Sequence, residues 1–222
     1  DTSGRRLSIG QSINSLWMPE FGGIYQEADF LEGSPITPRV GAKPGHIRVL
    51  DQNKDGILDI NDNIFINADP DWYGSINATL RVKNFDLFMD WYFVQGVTRV
   101  NSILANGEYW KASFNGPIVP YYTPDSPSTE WPMANANAAW LKYLNSFAAQ
   151  DASYQRLRTL TVGYNFGNDL NQLLQTKSGR IYFTGTNLLT FTDFLSYSPE
   201  QDLRAGVFPE TLNMTLGIKL TF

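Results

Sequence analysis

Six positions in one short stretch carry the chemistry that the residue types suggest most directly: Asp51, Asn53, Asp55, Ile57, Asp59 and Asp62. They are spaced as the ligand positions of a twelve-residue calcium loop. Five offer side-chain oxygens, Ile57 offers its backbone carbonyl, and Gly56 stands where such a loop turns sharply. The twelfth position is Asp62 instead of the usual Glu, and its shorter arm favours monodentate contact and weaker binding. Carboxylates this close repel one another, and a bound Ca2+ would relieve the repulsion. The competing reading is an ion-free turn cluster, because Asp, Asn and Gly also dominate turns. No helical pattern flanks the loop, so a helix-opening switch has no element to move, and the role expected of Ca2+ is structural.

Other reactive residues are few. The single His46 lacks an activated serine motif, which leaves only a weak case for a Ser-His-Asp triad and favours a surface or turn histidine. Asp86 and Asp90 sit four residues apart in a strand pattern, about 13 Å, too far for either carboxylate spacing of a glycosidase. They read as polar lining. Trp110, Tyr121, Tyr122 and Trp131 offer flat apolar faces for stacking on sugar rings, and equally for packing loop against loop or against a partner. No substrate-binding residue is assigned, and the chain does not read as an enzyme. The absence of Cys removes disulfides, thiolate metal sites and a cysteine nucleophile, and a single His removes a multi-histidine zinc site.

These residues must be positioned by a chain of 222 residues with 17 Lys+Arg against 22 Asp+Glu, a formal charge of −5. Without a basic cluster, nucleic acid is not an expected partner. No apolar run approaches the roughly 18 residues of a spanning helix, and no basic-then-apolar leader opens the segment. Aromatic residues make up 14% and charged residues only 18%, where about 25% is usual for a soluble protein.

From Leu212 to Phe222 every even position is apolar and every odd one polar or Gly, the period of a strand with one greasy and one wet face. Its length matches the roughly 9–11 residues that cross a bilayer core. Ile76, Ala78, Leu80 and Val82 alternate in the same way, as do Phe85, Leu87, Met89, Trp91 and Phe93, and Leu160, Val162, Tyr164 and Phe166. Strands are expected at 71–82, 85–96, 153–166, 180–191 and 211–222. The fourth has blurred alternation around Thr184–Asn187, so its faces are not assigned. Lys83-Asn84 has the spacing of a two-residue hairpin loop, which pairs Val82 with Phe85, Leu80 with Leu87, Ala78 with Met89 and Ile76 with Trp91, so that the apolar faces coincide. In the link 167–179, Leu170, Leu173 and Leu174 have the spacing of a helical turn.

Residues 1–70, 97–150 and 192–210 read as long irregular segments, the first holding Gly/Pro-punctuated short strands and the acidic loop 51–62, while the links at Lys83-Asn84 and around 167–179 are short. That alternation is the habit of outer-membrane barrels, whose long loops are extracellular. With Phe222 at one membrane face, Phe85, Tyr164, Phe166, Tyr182 and Phe183 fall near the same level. Trp72, Tyr73, Trp91, Tyr92, Phe93 and Phe191 fall near the other, as interfacial belts do. Five strands cannot close a barrel in lipid, where about eight or more are needed and an open edge cannot face hydrocarbon. The expected fold is therefore all-β: the C-terminal strands of a large antiparallel transmembrane β-barrel with long extracellular loops, or a fragment that completes such a barrel.

Several blocks in order carry a family resemblance. They are Ile9–Ile13 with Phe21–Gln26, Lys43–Arg48 running into Asp51–Gly56, Tyr121–Thr129, Asp151–Arg158 with Val162–Tyr164, Thr184–Thr192, and the closing Leu220–Phe222. Together they resemble the C-terminal region of SusC/RagA-type TonB-dependent outer-membrane transporters of Bacteroidetes, over nearly the whole chain. His46 stands where the family usually has Asp, and Trp131-Pro132-Met133 departs from the usual continuation. The resemblance implies an outer-membrane importer of glycans or peptides with about 22 strands. It implies further partners: the N-terminal barrel and plug, a SusD-like surface lipoprotein, TonB acting through the plug, and outer-membrane lipid. It makes Phe222 a membrane assembly signal. The alternative is a soluble extracellular β module, stabilised by calcium, that binds carbohydrate.

Overall fold

The computed structural model describes residues 6–105, 119–134, 143–200 and 210–222. Among them, strands follow in the order β1 (Leu16–Pro19), β2 (Phe21–Ile24), β3 (Ile47–Val49), β4 (Asn63–Ile66), β5 (Trp72–Val82), β6 (Phe85–Gln95), β7 (Thr98–Val100), β8 (Ala149–Asp151), β9 (Tyr154–Asn165), β10 (Ser178–Thr192) and β11 (Asn213–Thr221). Helix is confined to short pieces, α1 (Ser102–Ala105), α2 (Leu144–Ala148) and α3 (Asn168–Leu173), and to two 3-10 turns. The last helix lies in the link where the leucine spacing places a helical turn.

The chain divides into two units. One is an antiparallel sheet in the order β11-β10-β9-β6-β5, drawn from 70–97, 152–200 and 210–222. The hairpin register is the one the apolar pattern requires: Val82 faces Phe85, Leu80 faces Leu87, Ala78 faces Met89 and Ile76 faces Trp91. The left-handed residue of its turn is Lys83 (φ 52°) and not Asn84. Asn84 keeps its carbonyl aimed at β9, where the Asn165 backbone N–H donates to it at 2.8 Å.

Registers continue across the sheet, so one row runs Leu80, Leu87, Val162, Phe183, Leu216, and the next Val82, Phe85, Tyr164, Ile181, Ile218. Both rows are apolar on all five strands, and Leu80, Val82, Phe85, Leu216 and Ile218 are exposed. On the other face two rows are largely polar or small, Asn77, Asp90, Thr159, Thr186, Asn213, and Arg81, Asp86, Gly163, Tyr182, Gly217, and the row between them is threonine except for Phe88. Alternation blurs in β10 for a physical reason. Asn187 takes φ 55°, and the register shifts between Thr186 and Leu189 opposite an extra residue, Arg158, on β9. Extra residues on both strands restore the period, and Leu189 and Phe191 return to the face of Phe183.

Aromatic rings gather near both strand ends. Phe85 lies 4.8 Å from Tyr164, while Trp91 stacks on Phe191 at 6.2 Å and Trp72 meets Phe93 edge-on at 5.5 Å.

The other unit, from 6–69, 98–105, 119–134 and 143–151, joins two stretches that the sequence reads as separate loops. Three two-stranded ladders, β1-β4, β2-β3 and β7-β8, surround a core of Ile24, Ile47, Val49, Leu104, Tyr122, Tyr143, Phe147 and Ala148. Gly45 serves this core. It adopts φ 85°, and a Cβ there would lie 2.6 Å from the Tyr122 ring, so only glycine suits both the turn and the close approach.

Candidate functional site

The acidic loop is held by its own backbone. Asp51 accepts from the Lys54 and Gly56 N–H groups at 2.6 and 2.8 Å, and Gly56 turns at φ 81°. Asn53 Oδ1 accepts from Asp55 N–H at 2.9 Å, and Asp55 accepts from Ile57 N–H at 2.7 Å. Asp59 caps the turn over 60–62 by accepting from Asn61 N–H at 2.7 Å. Asp62 is buried, and its two oxygens accept from Gln52 and Asp59 N–H groups at 2.9 and 2.8 Å, tying the start of the loop to its end. Among the described residues no group of three or more His, Cys, Asp or Glu is drawn together as a metal cluster. Each carboxylate oxygen accepts one hydrogen bond and retains a second lone pair.

His46 is in a turn, but it is buried and not at the surface, at 5% exposure. Its Nδ1 accepts from the Lys43 N–H at 3.3 Å, and its carbonyl accepts from Tyr25 N–H. Burial, with Arg39 and Lys43 nearby, pushes its pKa down to about 4, so the ring is neutral at pH 7.

The loop aromatics pack inward. Tyr122 is in the core, Trp131 meets Phe147 edge-on at 5.7 Å, and Tyr121 packs against the same cluster. Trp110 lies outside the described residues. Phe222 is exposed, and Lys177 Nζ donates to its carbonyl at 3.0 Å.

On the polar face of the sheet, Asp86 accepts from Arg180 Nη2 at 2.5 Å and from Asn165 Nδ2 at 2.9 Å. Asp90 is not paired with it: its Oδ1 is buried with no hydrogen-bond partner among the described residues. A denser cluster centres on Arg156, whose side chain is 4% exposed. It donates to Glu200 at 2.7 Å, to Thr190 Oγ1 at 2.9 Å, and to Glu210. Arg158, the extra residue of the bulge, donates to Glu200 at 2.7 Å and lies 3.4 Å from the Tyr92 ring centroid, and the Tyr154 hydroxyl also donates to Glu200. Burial pushes the Glu200 carboxyl up, but hydrogen bonds from Tyr154 and Arg158 and the Arg156 charge outweigh it and hold it near 2. Burial and the adjacent Glu200 push Glu210 up. The two arginines are balanced by the two glutamates, so the cluster braces the segments at Glu200 and Glu210 against β9. The alternation of Tyr154, Arg156 and Arg158 hints at it, but no local spacing points 44 residues ahead to Glu200.

No family model matches the chain. Two curated relatives from Formosa agariphila match almost all of it. TonB-dependent receptor P26 is 27% identical over 234 residues, covering 98% of this chain, and TonB-dependent receptor P3 is 28% identical over 231 residues, covering 97%. The chain is similar over nearly its whole length to TonB-dependent receptors. It spans 23% of the length of each of these two relatives. Solved structures of the RagAB peptide transporter superpose on 94% of the chain with a TM-score of 0.67 at 19% identity. The RagAB peptide importer in its open-open state gives 0.66 over 98%. The chain is thus part of a bacterial outer-membrane protein, and its five-stranded sheet is an unclosed portion of an antiparallel β-barrel. No helix among the described residues is long and apolar enough to span a membrane.

Two outcomes are expected. Arg156→Met removes the arginine partner of the partly buried Glu210, while Glu200 keeps Arg158 and Tyr154, and should cost about 3 kcal/mol of stability to urea in detergent, whereas Arg158→Met, at a more exposed pair, should cost under about 1 kcal/mol. His46 has a folded pKa below its unfolded 6.5, so the unfolded state binds the extra proton. Its stabilisation is complete above pH 6.5 and is lost as pH falls toward 4. Protease cleavage within 6–69 should rise across that window, and His46→Gln should flatten the rise.

Proposed function

We propose that this chain forms C-terminal wall strands and part of the extracellular vestibule of a TonB-dependent outer-membrane importer of glycans or peptides. The single observation that carries this is the sheet's two-sided chemistry. In-register apolar rows cross all five strands, exposed on β5 and β11 and exposed or half-buried between them, while the opposite face carries Asn, Asp, Thr, Arg and Tyr with Phe88 among them. An exposed apolar sheet face of that extent suits acyl chains, and the polar face suits a lumen. Both β5 and β11 have one unpaired edge among the described strands, as a wall continued by further strands requires.

The unit carrying 6–69 would lie in the extracellular vestibule. The RagAB structures are of a peptide transporter, which favours the import reading, with glycan or peptide as the cargo class for this chain. A SusD-like surface lipoprotein would cap the vestibule, and TonB would act through a plug supplied by the rest of the polypeptide. Phe222 keeps its role as assembly signal within this reading. The role is transport, with binding in place of catalysis.

The proposal includes Ca2+ at 51–62. Its support is the oxygen spacing, the left-handed Gly56, and the lone pairs left on Asp51, Asn53, Asp55, Asp59 and Asp62 beside the Ile57 carbonyl. The ion would add stiffness to a loop already caged by its N–H groups.

Leu216→Arg places a charge on the apolar face near the strand middle and should cost about 2–4 kcal/mol there. The amount assembled in the outer membrane should fall severalfold, while Thr215→Arg, on the opposite face, should assemble nearly as the parent. Equal assembly of the two contradicts the reading. For the ion, chelator should increase protease cleavage within 51–62 in the intact protein and Ca2+ should reverse it. Unchanged cleavage argues for the ion-free turn cluster.

A further inference from the structure

Arg39 places a guanidinium inside the unit built on 6–69 without giving it an acceptor. Its Nε and Nη2 are both buried, and neither has a hydrogen-bond partner among the described residues. No carboxylate pairs with it in that set. These two nitrogens form one edge of the guanidinium, with parallel N–H bonds spaced to meet both oxygens of a carboxylate or two oxygens of a sulfate group.

The group is also held in place. Its guanidinium carbon lies 4.7 Å from the centroid of the Tyr143 ring. Stacking uses the flat face of a guanidinium and leaves its in-plane donors free. At the main chain, Arg39 N–H donates to the Tyr25 hydroxyl at 3.4 Å, and Tyr25 is completely buried. An arginine fixed at both ends loses little freedom on meeting a ligand.

Further cations lie close by. The charged groups that act on the neighbouring His46 are Arg39 and Lys43, both cations, and Arg39 and Arg48 both act on Tyr25. The full charges acting on His46 and Tyr25 are thus all cations, while the acidic Glu27 acts on Tyr122. Native structures rarely leave buried N–H donors unpaired, and two on one fork, next to further cations, define the missing partner as an anion with paired oxygens.

We propose that Arg39 anchors an oxyanion-binding site, taking a carboxylate or sulfate group through Nε–H and Nη2–H with Lys43 adding attraction. The site stands on this local geometry and does not depend on the transport reading. An acidic peptide side chain, a uronic acid or a sulfated sugar would each present the required group.

Titration calorimetry on the intact protein in detergent, with sodium acetate and sodium sulfate at matched ionic strength, tests it. Saturable binding of at least one anion is expected, and which of the two binds names the ligand class. Arg39→Gln should weaken binding about tenfold or more, since hydrogen bonds to charged groups are worth that much. Lys43→Gln should weaken it less. Arg39→Lys keeps the charge but removes the fork, and should also bind more weakly, so it carries the test should Arg39→Gln fail to fold. Absence of saturable binding by either anion, or binding unchanged in both Arg39 variants, overturns the site.

Discussion

Pairing of every backbone N–H and C=O within the sheet, at a register that keeps all apolar side chains on one face, is the constraint on which this molecule depends. In a bilayer no water satisfies a stray peptide group, and a shift of one residue would turn a whole strand's greasy side inward. The rows from Leu80 to Leu216 and from Val82 to Ile218 meet that demand on five successive strands. Where two extra residues enter β10 at Asn187–Leu188, one enters β9 at Arg158, and the faces are preserved on either side.

The polar face solves a different problem. Charges there are partly buried and need partners, and most have them: Asp86 with Arg180 and Asn165, Arg156 with Glu200 and Glu210. These links join residues far apart in the chain. They fix where the chain leaves β10 and re-enters β11 relative to β9, a job that hydrogen-bond ladders alone do not perform outside the strands. Arg158 owes its position to the bulge, which frees it from the ladder and lets it stack on Tyr92.

Much of the sheet was legible because its signal is local. Period-two alternation places the hairpin partners of Val82 and Leu80, and two residues between strands leave one register that matches the faces. Legibility ended where structure depends on distant residues. The core of Ile24, Ile47, Tyr122 and Phe147 is assembled from short strands and segments about a hundred residues apart, so 1–70 and 97–150 read as separate loops. His46 reads as a surface or turn residue, since nothing beside it in sequence announces that Tyr25 and the turn over Lys43 enclose it. The acidic loop shows both sides. Its spacing is plain in the sequence, whereas the use of Asp62 to clamp Gln52 and Asp59 is a property of the folded backbone. The Arg39 fork carries no sequence signature at all, because it is defined by what its neighbours leave unpaired.

The central claim is that the exposed apolar rows meet lipid. Spin labels placed singly from 213 to 221 in the intact protein in bilayers measure this directly, through their relative exposure to oxygen, which concentrates in lipid, and to a water-soluble nickel reagent. The account predicts a strict alternation, with labels at 214, 216, 218 and 220 favouring oxygen and those between them not. Even-numbered labels shielded from both reagents, or equally open to the nickel reagent, would show those side chains packed against protein or water and would contradict it.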